Sequence, residues 1–194
     1  SLDQYSRPRA NGIIAIDIKD DDQLIATEVT SGSDKVMLFT ASGKSIKFNE
    51  SDVRPVGRSA AGVRGIRLAK DDKVISLVIP NSSNNILIAT ENGYGKQTDV
   101  EAFSTQGRGG KGVIAINTSE RNGCAVSAIL VAENDEVMLI TANGTLSRIT
   151  TDEVSQSGRN TQGVKLIKLD DNDNLIRVIN VISILDDIIE ELDE

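Results

Sequence analysis

Gly107-Arg-Gly-Gly-Lys-Gly-Val-Ile-Ala-Ile116 returns, altered, three more times along the chain. Its counterparts are Arg7-Pro-Arg-Ala-Asn-Gly-Ile-Ile-Ala-Ile16, Gly57-Arg-Ser-Ala-Ala-Gly-Val-Arg-Gly-Ile66 and Gly158-Arg-Asn-Thr-Gln-Gly-Val-Lys-Leu-Ile167. The sixth residue of each is glycine, at 12, 62, 112 and 163, so the step is 50, 50 and 51 residues. A second marker keeps the same step: Ala41-Ser-Gly-Lys44, Glu91-Asn-Gly-Tyr94 and Ala142-Asn-Gly-Thr145. Ser-Gly or Asn-Gly between two apolar runs marks a hairpin, because a tight two-residue connection needs positive φ. Two glycine markers in phase establish an internal repeat.

Between the markers the chain is written in short strands. Ile, Val and Thr supply 51 of the 194 residues, and β-branched side chains suit a pleated surface. Apolar runs at Ile13–Ile18, Val36–Thr40, Val74–Ile79, Ile86–Ala89 and Val137–Thr141 are bounded by turn residues. The first period reads as four strands, near Gly12–Ile18, Gln23–Thr30, Lys35–Ala41 and Lys44–Phe48. Four strands in a unit of roughly 40–50 residues is the pattern of a propeller blade. One blade cannot bury both faces of its sheet, so neighbours must stack around an axis. The expected fold is all-β, a β-propeller of four-stranded blades. About three and a half units are in view, at 6–56, 57–105, 106–156 and 157–182, followed by an acidic tail at 183–194. The fourth unit is short and the chain opens just before its first Arg/Gly loop, which predicts a fragment of a larger domain.

Composition narrows the chemistry. There is no His, which removes imidazole bases, triads and most catalytic zinc sites. The single Cys124 excludes an internal disulfide and cysteine metal clusters, in keeping with a reducing cytoplasm. No apolar run approaches the ~20 residues of a membrane span, and no signal peptide is visible. The formal charge of -8 argues at face value against a nucleic-acid partner. That average is misleading. Six of the 29 acids fall in the last nine residues, which leaves 23 acids against 21 bases in the rest.

The loops before each first strand carry the opposite charge. Gln106-Gly-Arg-Gly-Gly-Lys-Gly112 sets Arg108 and Lys111 in a glycine-rich turn, a cradle for phosphate in principle. It is not a Walker loop, since G-x-x-x-x-G-K-[ST] is absent. A solvated blade-to-blade turn is the plain alternative. Recurrence favours the first reading, since the equivalent loops carry Arg7 and Arg9, Arg58 and Arg64, and Arg159 and Lys165. One basic loop per blade makes a positive belt, suited to the phosphates of a long, bendable duplex. No recognition helix is apparent and aromatics are 3% of the chain, so neither base readout nor single-strand stacking is supported.

At this point the residues resemble a known family, the C-terminal DNA-wrapping domain of the DNA gyrase A subunit. Gln106–Gly112 is similar to that family's box of a Gln, two basic residues and Gly-Gly-Lys-Gly. Val63-Arg-Gly-Ile-Arg-Leu68, Glu136-Val-Met-Leu139 and Gly158-Arg-Asn-Thr-Gln-Gly-Val164 look gyrase-like too. The resemblance implies a β-pinwheel, a propeller whose blades exchange strands, usually with six blades. It also implies non-sequence-specific wrapping of double-stranded DNA around the rim, in support of negative supercoiling by a type II topoisomerase. The partners implied are DNA, the rest of the A subunit, plus the B subunit, with a bacterial, cytoplasmic, nucleoid-associated setting. ATP and Mg would belong to the holoenzyme, with no cofactor, metal or catalytic residue in this domain. The DNA-binding set expected is Arg7, Arg9, Arg58, Arg64, Gln106, Arg108, Gly109, Gly110, Lys111, Gly112, Arg159 and Lys165. Gly107 stands at the first of the box's two basic positions, leaving Arg108 alone there, and the box falls in the third unit, so the principal box is expected upstream. The alternatives are the equivalent domain of topoisomerase IV and a propeller scaffold for protein partners, which would want exposed aromatic anchors.

The remaining residues read as structural. Tyr94 falls in a hairpin turn, and Tyr5 lacks basic or metal-binding company. The acids at Asp20–Asp22, Asp71–Asp72 and Asp170–Asp173 lack EF-hand spacing and read as solvated turn carboxylates. Cys124 reads as a buried small hydrophobe. In the tail, Ile184, Leu185, Ile188, Ile189 and Leu192 predict a short amphipathic helix, whose acids would compete with DNA for the rim.

Overall fold

The computed structural model of the chain describes residues 2–7, 9–81 and 84–181. The tail beyond 182, with its expected helix, lies outside the described residues. Among the described residues there are eleven strands: β1 (Lys35–Thr40), β2 (Lys44–Asn49), β3 (Val74–Val78), β4 (Asn85–Thr90), β5 (Tyr94–Asp99), β6 (Val113–Ile114), β7 (Ala125–Val131), β8 (Glu136–Thr141), β9 (Leu146–Thr150), β10 (Val164–Lys165) and β11 (Leu175–Asn180). They form antiparallel sheets in the orders β3-β1-β2-β6, β10-β5-β4-β7 and β11-β8-β9.

Each sheet is built around a hairpin, β1–β2, β4–β5 or β8–β9. The glycine markers are indeed its turns, with Gly43, Gly93 and Gly144 at φ of 79°, 78° and 87°. The links hold three residues rather than the expected two, as the registers Phe39↔Ser45, Ala89↔Gly95 and Ile140↔Leu146 require. A type I turn closed by a left-handed glycine meets that geometry.

The strands that flank each hairpin come from later repeats. In the first sheet β3 belongs to the second repeat and β6 to the third; in the second sheet β7 and β10 belong to the third and fourth. A 50-residue period in the sequence is therefore not one sheet. The exchange explains a correction. Gly12–Ile18 and Gln23–Thr30, expected as strands, are irregular, as are residues 62–68. In the later repeats, segments in these positions pair with hairpins one or two repeats earlier. Ile14 and Val29 stand 70% and 74% exposed there.

Side-chain alternation binds the sheets face to face. In β4, Ile86 and Ile88 join Met37, Phe39, Val100 and Phe103 in a core between the first and second sheets. Leu87 and Ala89 point the other way, to Val137, Leu139, Leu175 and Val178 of the third. The middle hairpin is thus buried on both faces, as a stacked blade requires. Phe39 and Phe103 meet edge to face at 6.2 Å, a favoured aromatic geometry.

Two expectations about single residues are corrected. Cys124 is exposed. Its backbone N–H donates to the Glu91 carboxylate, and the chain enters the core one residue later, at buried Ala125. The acidic turns are more than solvated. Asp72 accepts from the Ser42 N–H at 3.0 Å and the Ser42 hydroxyl at 2.7 Å, tying its turn to the preceding hairpin. Asp173 does the same for Asn143 at 3.0 Å. Burial alone would raise the Asp72 carboxyl, but donors from Ser42, Thr40 and Lys73 outweigh it and hold it below the ordinary value. Asp173 is lowered chiefly by the Thr141 hydroxyl. Among the described residues no group of acids is arranged to hold a metal.

Candidate nucleic-acid interface

The basic loops lie where β6 and β10 are handed back to earlier hairpins. Gly112 has φ of 69° and Gly163 of 79°, and a Cβ on either would strike the carbonyl oxygen of Ser45 or Gly95. Glycine is needed there because the loop must turn left-handed directly against the receiving strand. The Gln106 N–H donates to the Lys47 carbonyl at 2.7 Å and fixes the start of the same loop.

Successive loops are laced together. The Gly109 N–H donates to Gly65 at 2.7 Å and the Arg67 N–H to Gly110 at 2.8 Å. Asn117 donates to Thr161 at 2.9 Å, and Asp17 to Ala60 at 3.4 Å. The arginine at the second position of the second, third and fourth loops reinforces the junction. Arg58 Nη1 donates to the Ile14 carbonyl at 2.7 Å, Arg108 Nη1 to Arg64 at 2.5 Å and Arg159 Nη1 to Ile114 at 2.9 Å. Arg108 Nε also donates to Asp52 at 3.1 Å, and Arg159 Nε to Ala102 at 2.8 Å. Those acceptors end the 3-10 turns Glu50–Asp52 and Val100–Ala102.

The candidate cations therefore divide into two kinds. Arg58, Arg108 and Arg159 are half-buried and engaged with backbone, whereas Arg7, Arg9, Arg64, Lys111 and Lys165 are exposed. Arg7, Arg9 and Arg58 line one groove of about 640 Å³ with Gly12 and Ile14. Among the described residues Arg64, Lys111 and Lys165 make no ion pair. Gly109 gives its N–H to Gly65, so that amide is not free for an anion; Gly110 offers its carbonyl to Arg67. The strip is continuous, because each loop contacts the next.

Sequence reasoning missed several residues here. Lys96 is fully buried and donates from Nζ to the carbonyls of Gly158 and Arg159, both at 2.6 Å. Burial, with Arg159 nearby, lowers its pKa to about 8. Lys47, also buried, caps the Val100 carbonyl at 3.0 Å, and burial lowers it as well. Gln97 has the same role in the next repeat, donating to Thr151 and Val154. Arg121 and Lys165 stand 4.7 and 5.4 Å from the centre of the Tyr94 ring, within cation–π reach. Tyr94 is thus the first residue of β5 rather than a turn residue, and its ring faces two cations. Arg121 lies in a turn one residue longer than its counterparts, as the equivalent bonds from Ala41 to Lys73 and from Glu91 to Cys124 show, so counting along the repeat did not single it out.

Known proteins match this chain throughout. The family model described as DNA gyrase C-terminal domain, beta-propeller, matches residues 1–31, 34–81, 84–131 and 135–182. Its second, third and fourth units begin at the three hairpins. The DNA gyrase A subunit of Klebsiella oxytoca is 51% identical over 191 residues, covering 98% of this chain and 22% of that protein. The chain thus spans about a fifth of the length of that relative. A solved DNA gyrase A C-terminal domain superposes with a TM-score of 0.82 at 31% identity, over 89% of this chain and 59% of that one. The C-terminal domain of a DNA topoisomerase IV superposes with a TM-score of 0.90 at 25% identity, over 100% of this chain and 62% of that one.

Proposed function

The chain belongs to the DNA gyrase A C-terminal domain family, and on that premise we propose that it binds double-stranded DNA and bends it along its basic strip. Arg7, Arg9, Arg64, Lys111 and Lys165 supply direct phosphate contacts, and Arg58, Arg108 and Arg159 add charge to the same track. Gln106, Gly109, Gly110 and Gly112 shape the central loop. The observation that carries this reading is the unbroken lacing of one basic loop to the next, from Ile14–Arg58 through Arg64–Arg108 to Ile114–Arg159. A duplex held by phosphates on such a track follows its curvature, with little dependence on base sequence. The domain would serve negative supercoiling by a cytoplasmic type II topoisomerase, alongside the rest of the A subunit plus the B subunit, which bring ATP and Mg.

The test is topological. The chain is incubated with relaxed circular DNA, the complex is relaxed again with a type I enzyme, and the linking number is measured. A shift that grows with protein and fades with salt is expected. No shift, together with no salt-sensitive gel retardation, would sink the wrapping reading.

A further inference from the structure

The arginine of each basic loop has a role distinct from that of the other rim cations. Arg58, Arg108 and Arg159 reach back 44, 44 and 45 residues to the same carbonyl of the preceding loop, that of residue 14, 64 or 114. In two of the three cases Nε simultaneously holds the end of a 3-10 turn two repeats earlier, that after β1–β2 for Arg108 and that after β4–β5 for Arg159. All three are half-buried, while Lys111, Arg64 and Lys165 beside them are exposed. A phosphate ligand on a solvated rim needs charge, which Lys supplies as well as Arg. Arg108 and Arg159 reach two separate elements with two different nitrogens, Nε and Nη1, of one rigid planar fork. A lysine offers a single nitrogen that can meet only carbonyls lying side by side, as Lys96 does.

We propose that Arg58, Arg108 and Arg159 are positioning residues that set the step from one basic loop to the next, and so the path of the bound duplex. Residue 64 shows the arrangement most directly. Its carbonyl is held by Arg108, while its own side chain lies exposed on the track. The third junction is gripped from a second side, because buried Lys96 holds the carbonyls of Gly158 and Arg159. The inference rests on the wrapping reading for its functional consequence, but not for the staple itself.

The experiment compares Arg108→Lys and Arg159→Lys, singly and together in the full chain, with Lys111→Gln, at a temperature where melting curves show each variant folded. Affinity for a linear duplex is measured against salt, and linking-number change is normalised to bound chain. The Arg→Lys variants should keep the salt slope while the linking-number change per bound chain falls at least twofold. Lys111→Gln should reduce the slope by about one. A linking-number change per bound chain that survives Arg→Lys would overturn the proposal, for it would make these arginines ordinary phosphate ligands. If the unsubstituted chain shifts nothing, the wrapping reading is what fails. Hydrogen exchange then decides the staple, because the Gly109 and Arg67 amides cross the junction that Arg108 closes. They should exchange at least tenfold faster in Arg108→Lys, and unchanged protection would refute the staple.

Discussion

Lys96 is a lysine with no exposed surface, in a place where its repeat counterparts are Ile46 and Ser147. Its ammonium meets only backbone carbonyls and a nearby guanidinium, so burial disfavours the charge. The folded pKa, about 8, lies below the ordinary 10.5. The sign follows from proton counting: between those values the unfolded chain binds the extra proton, so raising pH favours folding. The contribution is complete above about 10.5 and is lost as pH falls through about 8. The melting temperature of the chain should therefore rise from pH 8 to pH 10 relative to that of Lys96→Met, in which this slope is absent. Parallel pH profiles for the two proteins would show that Lys96 does not titrate in this range. Lys96 could not be found from sequence, since a lone Lys in an alternating strand reads as a solvent-facing residue. The basic loops had a related ambiguity. Arg108 was legible as a rim cation, but an arginine beside glycines reads the same whether it meets a phosphate or a carbonyl.

At the level of elements, local signals and long-range ones separated cleanly. The hairpins were readable because a glycine turn between two alternating runs carries its own instruction, as at Gly43 and Gly93. The exchange of β6 and β10 entered through the family resemblance and not through periodicity, because the partner of Val113–Ile114 lies nearly 70 residues back, at Lys44–Ser45. The same gap made Gly12–Ile18 look like a strand, because an apolar run says nothing of where its partner lies, and the segment is irregular. The four equivalent glycines turn this into a controlled comparison. Gly62 and Gly112 share a left-handed backbone, φ 77° and 69°, but only Gly112 has a receiving strand against it. Gly62→Ala should cost about 1–2 kcal/mol, the penalty of φ > 0 for an L residue. Gly112→Ala carries the same backbone cost plus a collision with the Ser45 carbonyl, and should lose at least about 2 kcal/mol more as β2–β6 pairing breaks. Urea unfolding measures both, and equal losses would mean that the β6 exchange contributes nothing to stability.

Over the whole molecule, charge is arranged rather than abundant. The formal -8 would repel a polyanion if it were spread evenly, but it is not: Asp17 and Asp22 share a groove with Arg64, whereas other acids are tied up or lie far along the sequence. Asp72 and Asp173 are engaged at hairpin turns, and six acids sit beyond residue 185, while Arg7, Arg9, Arg64, Lys111 and Lys165 stand exposed on the laced loops. Screening decides which charges a bound duplex feels, since the Debye length near physiological salt is about 8 Å. A duplex bound as proposed would therefore respond to the strip it touches, and the net charge of the chain would act only weakly. Each phosphate neutralised lowers the log–log dependence of affinity on salt by about 0.9. If the five exposed cations each meet one phosphate, the slope should lie near about −4 to −5. Two unrelated duplexes of equal length should bind within a few-fold of each other, because base edges contribute little to such an interface. A slope shallower than about −2 would mean that the loops do not act together as one surface. A strong preference between duplexes would instead place the binding energy in the grooves. Slope and selectivity together therefore distinguish a continuous track from a single basic patch, which the linking-number measurement alone does not.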